Sequence, residues 1–533
     1  MLCVSAGEVS SELVVEEGEA IPPRYWWLKR IIIASTSLIV ALVLLRLWWG
    51  WYADRLLQAE IDRIVAASEP IYPEDFDPKE SVPDEQNAAR FLQAAEGKLS
   101  LTMEQSQLVL ELSSSQDMAA KQINAVRGII EANQEVLVLV RKARNSPHCD
   151  WGLRIRSPAI NSGIGSYGGQ RRLSEFLYVV ARYRWDQKEQ GEALETLQDI
   201  LLQGQAIATQ PSLLANVVGS GVDGLSLYEL ERTAPAVRIA ENEVDGVGGA
   251  ANREVVLRMI AFLVDEKPQH SAMRGAMRGK RMLIHDFFRC LIDGNRSPGS
   301  LPFGGMTGGA YWYARTLQWP ITPLYTLNAR WALKVATMFR EAAEATTFVG
   351  VRGILPEIPE DNDRPLVDRL LQPMGWDTFA SIHRSFVLHF RHLAMRRMAG
   401  IALAIRLFQI DHGLRPQSLG QLVPDYLDAV PADPFGDGAR AIGYLPDAVP
   451  PILYSIGDDG VDDGGRFALR NNGDVNMNVL DIVYFLDGNR PMPKAAGTQP
   501  ATTSQSETSE DGDNVEHQGG NSDETKPQQN QPE

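Results

Sequence analysis

The chain has 533 residues, several domains' worth of polypeptide, and its 44% apolar fraction suffices for a sizeable core, which excludes a wholly disordered chain. A net charge of −17 argues against a general nucleic-acid binder, which needs Lys and Arg to displace phosphate counterions. Three cysteines are too few for a disulfide scaffold or a four-thiolate zinc site.

Residues 1–25 read as a short cytoplasmic tail, and 26–47 hold the membrane-length apolar stretch. Trp26 and Trp27 flank one end, and Trp48, Trp49, Trp51 and Tyr52 the other, the belt expected where amphipathic rings sit at headgroup level. As a helix the stretch rises about 33 Å, enough to cross about 30 Å of hydrocarbon. No small-residue cleavage site follows it, so an uncleaved anchor is expected. Nearby basic residues tie across the span; the Lys29-Arg30 pair and the short tail favour a cytoplasmic N-terminus, with the chain from about residue 53 exported.

A helix leaving the membrane gives way to a connector carrying Pro70, Pro73, Pro78 and Pro83. Residues 84–144 have a helical pattern, 148–169 form a loop opening on His148-Cys149-Asp150-Trp151, and 173–184 and 191–209 make a helical hairpin without a fixed repeat period. Helical stretches follow at 211–232 and 252–264, parted by a Gly-rich break at 244–250. A Gly/Pro/Ser loop at 293–309 precedes the aromatic segment 311–325, a helix to about 345 and a Pro-punctuated loop at 346–374. The long helix 378–411 carries a stripe of Phe390, Ala394, Met398, Ile401, Ile405 and Phe408, so one face is expected to be buried. Short strands follow Gly413, and the polar tail from 491 cannot offset its ordering entropy. The expected fold is therefore mostly α: a transmembrane helix (26–47), a multi-helix exported region (53–375), a small α+β domain (376–490) and a disordered acidic tail (491–533).

No catalytic signature emerges. Residues 275–281 (GAMRGKR) are one residue short of a phosphate loop and are expected to be an ordinary loop, as is the Gly-rich 304–309 segment. Neither a zinc-protease motif nor a nucleophile elbow is present. His383, His389 and His392 share a helix without a carboxylate or thiolate and read as surface residues. Cys149 and Cys290 both lie on the expected exported side; whether they pair is left open, and buried thiols are the default.

The C-terminal motifs come in a telling order. A helix ends in Asp411-His412-Gly413-Leu414-Arg415-Pro416, followed by Leu419-Gly420-Gln421-Leu422-Val423, Asp433-Pro434-Phe435-Gly436, Tyr444, Ser455-Ile456-Gly457-Asp458-Asp459-Gly460 and Asp481-Ile482. This order resembles the C-terminal part of the major pseudopilins of type II secretion systems. The resemblance implies a pseudopilin-like α+β domain and a structural Ca²⁺ in its last loop, carried over to Asp459, Asp481 and Ser455. Asp458 and Asp462 add to the carboxylates that a hard cation would gather. The chain departs from that family in lacking the prepilin cleavage sequence and in placing some 300 residues between anchor and domain. Asn87-Ala88-Ala89, Cys149-Asp150-Trp151 and the pseudopilin-like end together resemble single-pass envelope proteins of planctomycete-type bacteria, which implies the bacterial inner membrane with the bulk in the periplasm.

The function expected is that of a membrane-anchored envelope protein with a structural or interaction role, not catalytic, related to a secretion system. Its expected partners are the lipid bilayer and other envelope proteins, not nucleic acid. The alternative is an exported hydrolase with a site in the helical region, where Asp150, Arg154, Arg171, Arg172 and Glu175 would line a cleft.

Overall fold

The computed structural model describes residues 25–78, 82–115, 118–162, 167–240, 249–293, 309–355, 376–470, 475–477 and 480–488. These belong to one contact unit, 1–491; the tail from 492, the N-terminal 24 residues and the 244–248 and 304–308 glycine segments lie outside the described residues. The architecture is mostly helical, with two small sheets.

Helix α1 (Trp26–Ala66) is one uninterrupted rod of 41 residues. Among the described residues it is the one helix long and apolar enough to cross a membrane, with an 18-residue window of mean hydropathy 2.3, none of it buried. Its second half behaves differently. Ala53, Ile61 and Ile64 are buried, and Ile61 and Ile64 pack with Ile71 and with Leu333 of α11 (Gly309–Ala342). Just beyond α1, Glu69 gathers three guanidiniums: Arg278 at 3.3 Å and Arg281 at 3.0 Å from α10 (Lys267–Ile292), and Arg340 from α11. Burial pushes the Glu69 carboxyl up, but the three cations outweigh it and hold it below the usual carboxylate range.

Helices α2 (Ala88–Lys98), α3 (Met103–Ser114), α4 (Ala120–Ala132) and α5 (Gln134–Arg144) form the first layer. Thr102 starts α3 with a capping box to Gln105. Asn87 caps α2 through the Ala89 amide at 3.1 Å and also clasps Asp150, accepting from its N–H at 2.9 Å and donating to its carbonyl at 2.8 Å. Trp151 donates to the Ala206 carbonyl at 2.8 Å. Two short motifs sixty residues apart thus close on each other, and the buried amide of Asn87 satisfies the turn it holds.

Behind this layer stand α6 (Gly168–Asp186), α7 (Gln190–Ala208) and α8 (Leu213–Thr233). The last two approach so closely that glycine is required at the crossing. A Cβ at Gly219 would lie 2.4 Å from the Gly204 carbonyl oxygen, and one at Gly204 would lie 2.0 Å from Asp223 Oδ1. A short parallel pair, β1 (Ile239–Ala240) with β2 (Ala251–Asn252), leads to α9 (Arg253–Val264), capped by Asn252. Then comes α10, where the sequence pattern suggested a loop over 275–281. That segment is mid-helix because Ala272, Met273, Ala276 and Met277 supply a buried stripe. Gly279 serves contact, not turning: a Cβ there would fall 1.8 Å from the Pro211 carbonyl oxygen.

Within the expected 346–374 loop, Phe348–Ile354 forms the short helix α12. Helix α13 (Trp376–His412) then runs through the middle of the body against α8 and α9. From Ser385 to Leu407 it is buried nearly all round, not on a single face, because helices cover one side and a sheet covers another. That antiparallel sheet has the order β3 (Gly443–Leu445), β4 (Ile452–Ser455), β5 (Ile482–Phe485). Its side chains alternate as a pleat demands: Leu453, Ile482 and Tyr484 join the main core with α13, while Ile452, Tyr454, Val483 and Phe485 pack with Phe467 and Leu469. One core therefore runs from Ala88 to Leu486, across residue 376, where the sequence suggested a domain boundary.

Gly219→Ala should destabilise the protein by about 1–3 kcal/mol, because its Cβ meets backbone that cannot move aside. Gly221→Ala, on the same helix with nothing within 4 Å, should instead stabilise by up to about 1 kcal/mol. Urea unfolding of both variants checks the pair.

Candidate functional site

A cleft of about 470 Å³ opens between α9 and the loop 424–432. Leu257, Ile260, Ala261 and Val264 form its apolar wall, and Tyr426 and the 428–432 backbone face them. The volume lies within the range of small-ligand sites. At its polar end, Arg397 of α13 holds Glu266 through two parallel bonds of 2.5 and 2.6 Å, and donates to the Ala432 carbonyl at 2.5 Å. Burial raises the Glu266 carboxyl, but bonding to His270 and Arg397 and their charges outweigh it, leaving it below the usual range. The lining residue Tyr426 is held from outside the cleft: its hydroxyl donates to Asp411 at 2.6 Å, and Arg253 grips the same carboxylate at 2.9 and 2.7 Å. Burial and that carboxylate push the Tyr426 phenol up to about 12.

Behind Glu266 the polar groups continue inward. The His270 ring lies edge-on to His389, with 5.4 Å between centroids. One turn along α13, His392 Nε2 sits 3.1 Å from Asp223 Oδ2, the oxygen that Arg396 also reaches at 3.0 Å. Arg396 is fully buried and donates its other nitrogen to the Phe262 carbonyl at 2.7 Å. Asp223, His389 and His392 border a small cavity of about 20 Å³, room for about one water-sized probe. Asp223 Oδ1 and His389 Nε2 are buried there without a hydrogen-bond partner among the described residues. Burial, with His270 and His392 adding like charge, pushes His389 down to about 3, so its ring is neutral.

Here the sequence reading needs correction. His389 and His392 are not surface residues; with Arg396 they form the buried polar centre of the body. No local pattern announces it: 389, 392 and 396 share one helical face, but that face lies opposite the apolar stripe, where solvent is the ordinary expectation. His383 lies apart, half-buried against Phe348.

Among the described residues, the acidic side chains of the 455–481 segment hold loops together and tie them to the rest of the body. Ser455 donates to Asp433 at 2.7 Å, and the fully buried Asp433 also accepts from the Phe435 and Ile456 amides, which ties the Asp-Pro-Phe-Gly turn to the end of β4. Asp458 pairs with Arg391, Asp459 accepts from the Val461 amide at 3.0 Å, and Asp462 pairs with Arg440 at 2.9 Å. Asp481 is buried and receives the Gly465 amide at 2.7 Å and the Asp463 amide at 3.4 Å. Among the described residues, no three His, Cys, Asp or Glu side chains are grouped to hold a metal.

The residues suggested for a hydrolytic site have the following places. Asp150 is held by Asn87, Arg171 pairs along α6 with Glu175 at 2.9 Å, and Arg154 and Arg172 are exposed; none lines either cavity. Cys149 and Cys290 are unpaired thiols, the first pushed up to about 11 by burial and the second 3.3 Å from the Ser157 hydroxyl.

Because the folded protein keeps His389 neutral, only the unfolded chain takes up its proton as the pH falls below 6.5. Its contribution to stability is complete above that value and declines toward pH 3, by up to about 1.4 kcal/mol per pH unit. His389→Gln should flatten the wild-type curve in this window, as read by urea unfolding across about pH 4 to 7.

Compared with family models, with curated proteins and with solved structures, the chain finds no match.

Proposed function

We propose that this chain is a single-pass membrane-anchored protein with a structural or interaction role, whose helical body offers the α9 cleft to a ligand or partner segment. The observation that carries the anchor is the continuity of α1. A cleaved signal sequence would be dispensable, whereas here the helix beyond the apolar span buries Ala53, Ile61 and Ile64 in the body. Removing residues up to about 52 would cut the rod where it joins α11. At the cleft the interaction reading is supported by Glu266, which is locked by both oxygens to Arg397 and held below the usual carboxylate range. The envelope location, with the body on the exported side, rests on the flanking charges and on the resemblance given above.

Membranes from cells expressing the full chain should retain it after an alkaline carbonate wash, and its intact mass should include α1. A soluble product beginning near residue 50 would sink the anchor reading.

The pseudopilin-like reading of 376–490 is supported by the motif order and by a long helix followed by an antiparallel three-stranded meander. Calcium at its last loop is proposed on the four carboxylates crowded into 458–463 and on the same resemblance. If the ion binds only the folded state, saturation at about 100 times its dissociation constant adds about 2.7 kcal/mol. A rise in Tm with millimolar Ca²⁺, absent in an Asp459→Ala, Asp481→Ala double variant, is the expected result. An unchanged Tm in the wild-type chain removes calcium from the proposal.

A further inference from the structure

Helices α1 and α11 run parallel in a fixed register. Arg46 pairs with Trp319 across 273 residues and Asp54 with Thr326 across 272, while Gly50 faces Pro323 at the same offset. Moving toward the N-terminus of one helix therefore means moving toward the N-terminus of the other. Helix α11 continues for ten residues before Trp319, back to Gly309. At 1.5 Å per residue that is about 15 Å, directed the way α1 enters its apolar span.

The contact at Arg46 has a chemical reason. In a helix the Trp319 carbonyl should accept from the amide of residue 323, but Pro323 has none. Arg46 supplies the missing donor: its Nε reaches the Trp319 oxygen at 2.8 Å, Nη2 bonds the same oxygen, and the guanidinium lies 4.9 Å from the centre of the indole. An unmet carbonyl matters most where water is scarce, and Arg46 sits at the very end of the apolar run. Around this level the large aromatics are bare: Trp48, Trp51 and Trp319 are each more than half exposed, at 58%, 57% and 53%. Three come from two helices far apart in sequence yet lie at one height, as a headgroup belt requires.

From this geometry we infer that the N-terminal end of α11 is a second membrane-contacting element, entering the headgroup layer beside α1 with Trp319 at the interface. This inference rests on the anchor reading and extends it. The body does not hang from a single rod; a lipid surface of phospholipid headgroups meets two helices, which fixes the tilt and rotation of the body above the membrane.

The test uses the full chain, with its native cysteines replaced by serine, in phosphatidylcholine–phosphatidylglycerol vesicles. One environment-sensitive fluorophore is attached in turn through Leu38→Cys, Trp319→Cys, Pro320→Cys and Val449→Cys, each checked for unchanged helix content, and nitroxide lipids quench at headgroup or acyl depth. Leu38 lies within the span, Pro320 is a second exposed position at the α11 level, and Val449 is 99% exposed. The expected result is acyl-depth quenching at 38, headgroup-depth quenching at 319 and 320, and none at 449. If 319 and 320 behave like 449 while 38 is quenched, the second contact is overturned and the anchor stands. If 38 also escapes quenching, both fall.

Discussion

One helix with an exposed apolar half and a half that enters the core is the constraint on which this structure depends. Among the described residues the first half of α1 is exposed and apolar enough to suit hydrocarbon, whereas the second half enters the protein core without a break in hydrogen bonding. An unbroken α-helix meets that demand because its backbone bonds are internal, so only the side chains change environment. The junction is then held by charge. Glu69 draws Arg278, Arg281 and Arg340 onto the point where the chain leaves α1, and α11 lies along the emerging turns. Any orientation of the body relative to α1 is thereby set by α10 and α11.

The body has a second charged centre, and it is more deeply buried. Asp223, His392 and Arg396 are desolvated where α8, α9 and α13 meet. Such groups are poor sources of net stability, since removing them from water opposes their attraction, but an unpaired member would be strongly destabilising. Their mutual geometry therefore restricts how α13 can rotate against α8. The same helix carries Arg397 outward to Glu266, so the floor of the α9 cleft is coupled mechanically to the buried centre through consecutive residues.

Local rules made much of the fold legible. The apolar span with its tryptophans, the helical runs of 84–144 and 191–264, the long C-terminal helix and the turn to short strands all follow from periodicity and from Gly and Pro punctuation. Helix α10 escaped because two glycines and clustered basic residues over 275–281 look like a turn in isolation. Its stripe of Ala and Met is decisive only when partners exist to cover it, and Gly279 becomes necessary only when Pro211 presses against it. His389, His392 and Arg396 escaped for a related reason. Polar side chains are assigned to the surface by default, and burial becomes favourable only once Asp223 and the Phe262 carbonyl arrive from other helices.

The sequence by itself determined the quantities that depend on neighbours along the chain: an apolar segment long enough to span a bilayer, the rough extent of the strongly periodic helices, and an acidic balance. Tertiary structure alone decided which polar groups face one another. Asn87 with Asp150, Glu69 with its three arginines, Asp223 with Arg396 and Arg46 with Trp319 are each separated by more than sixty residues or join helices whose packing no local pattern encodes. The physical reason is that hydrophobic periodicity is a one-dimensional property readable within a single turn or pleat. Pairing of charge and hydrogen bonds depends instead on distance in space, which exists only after the chain has closed.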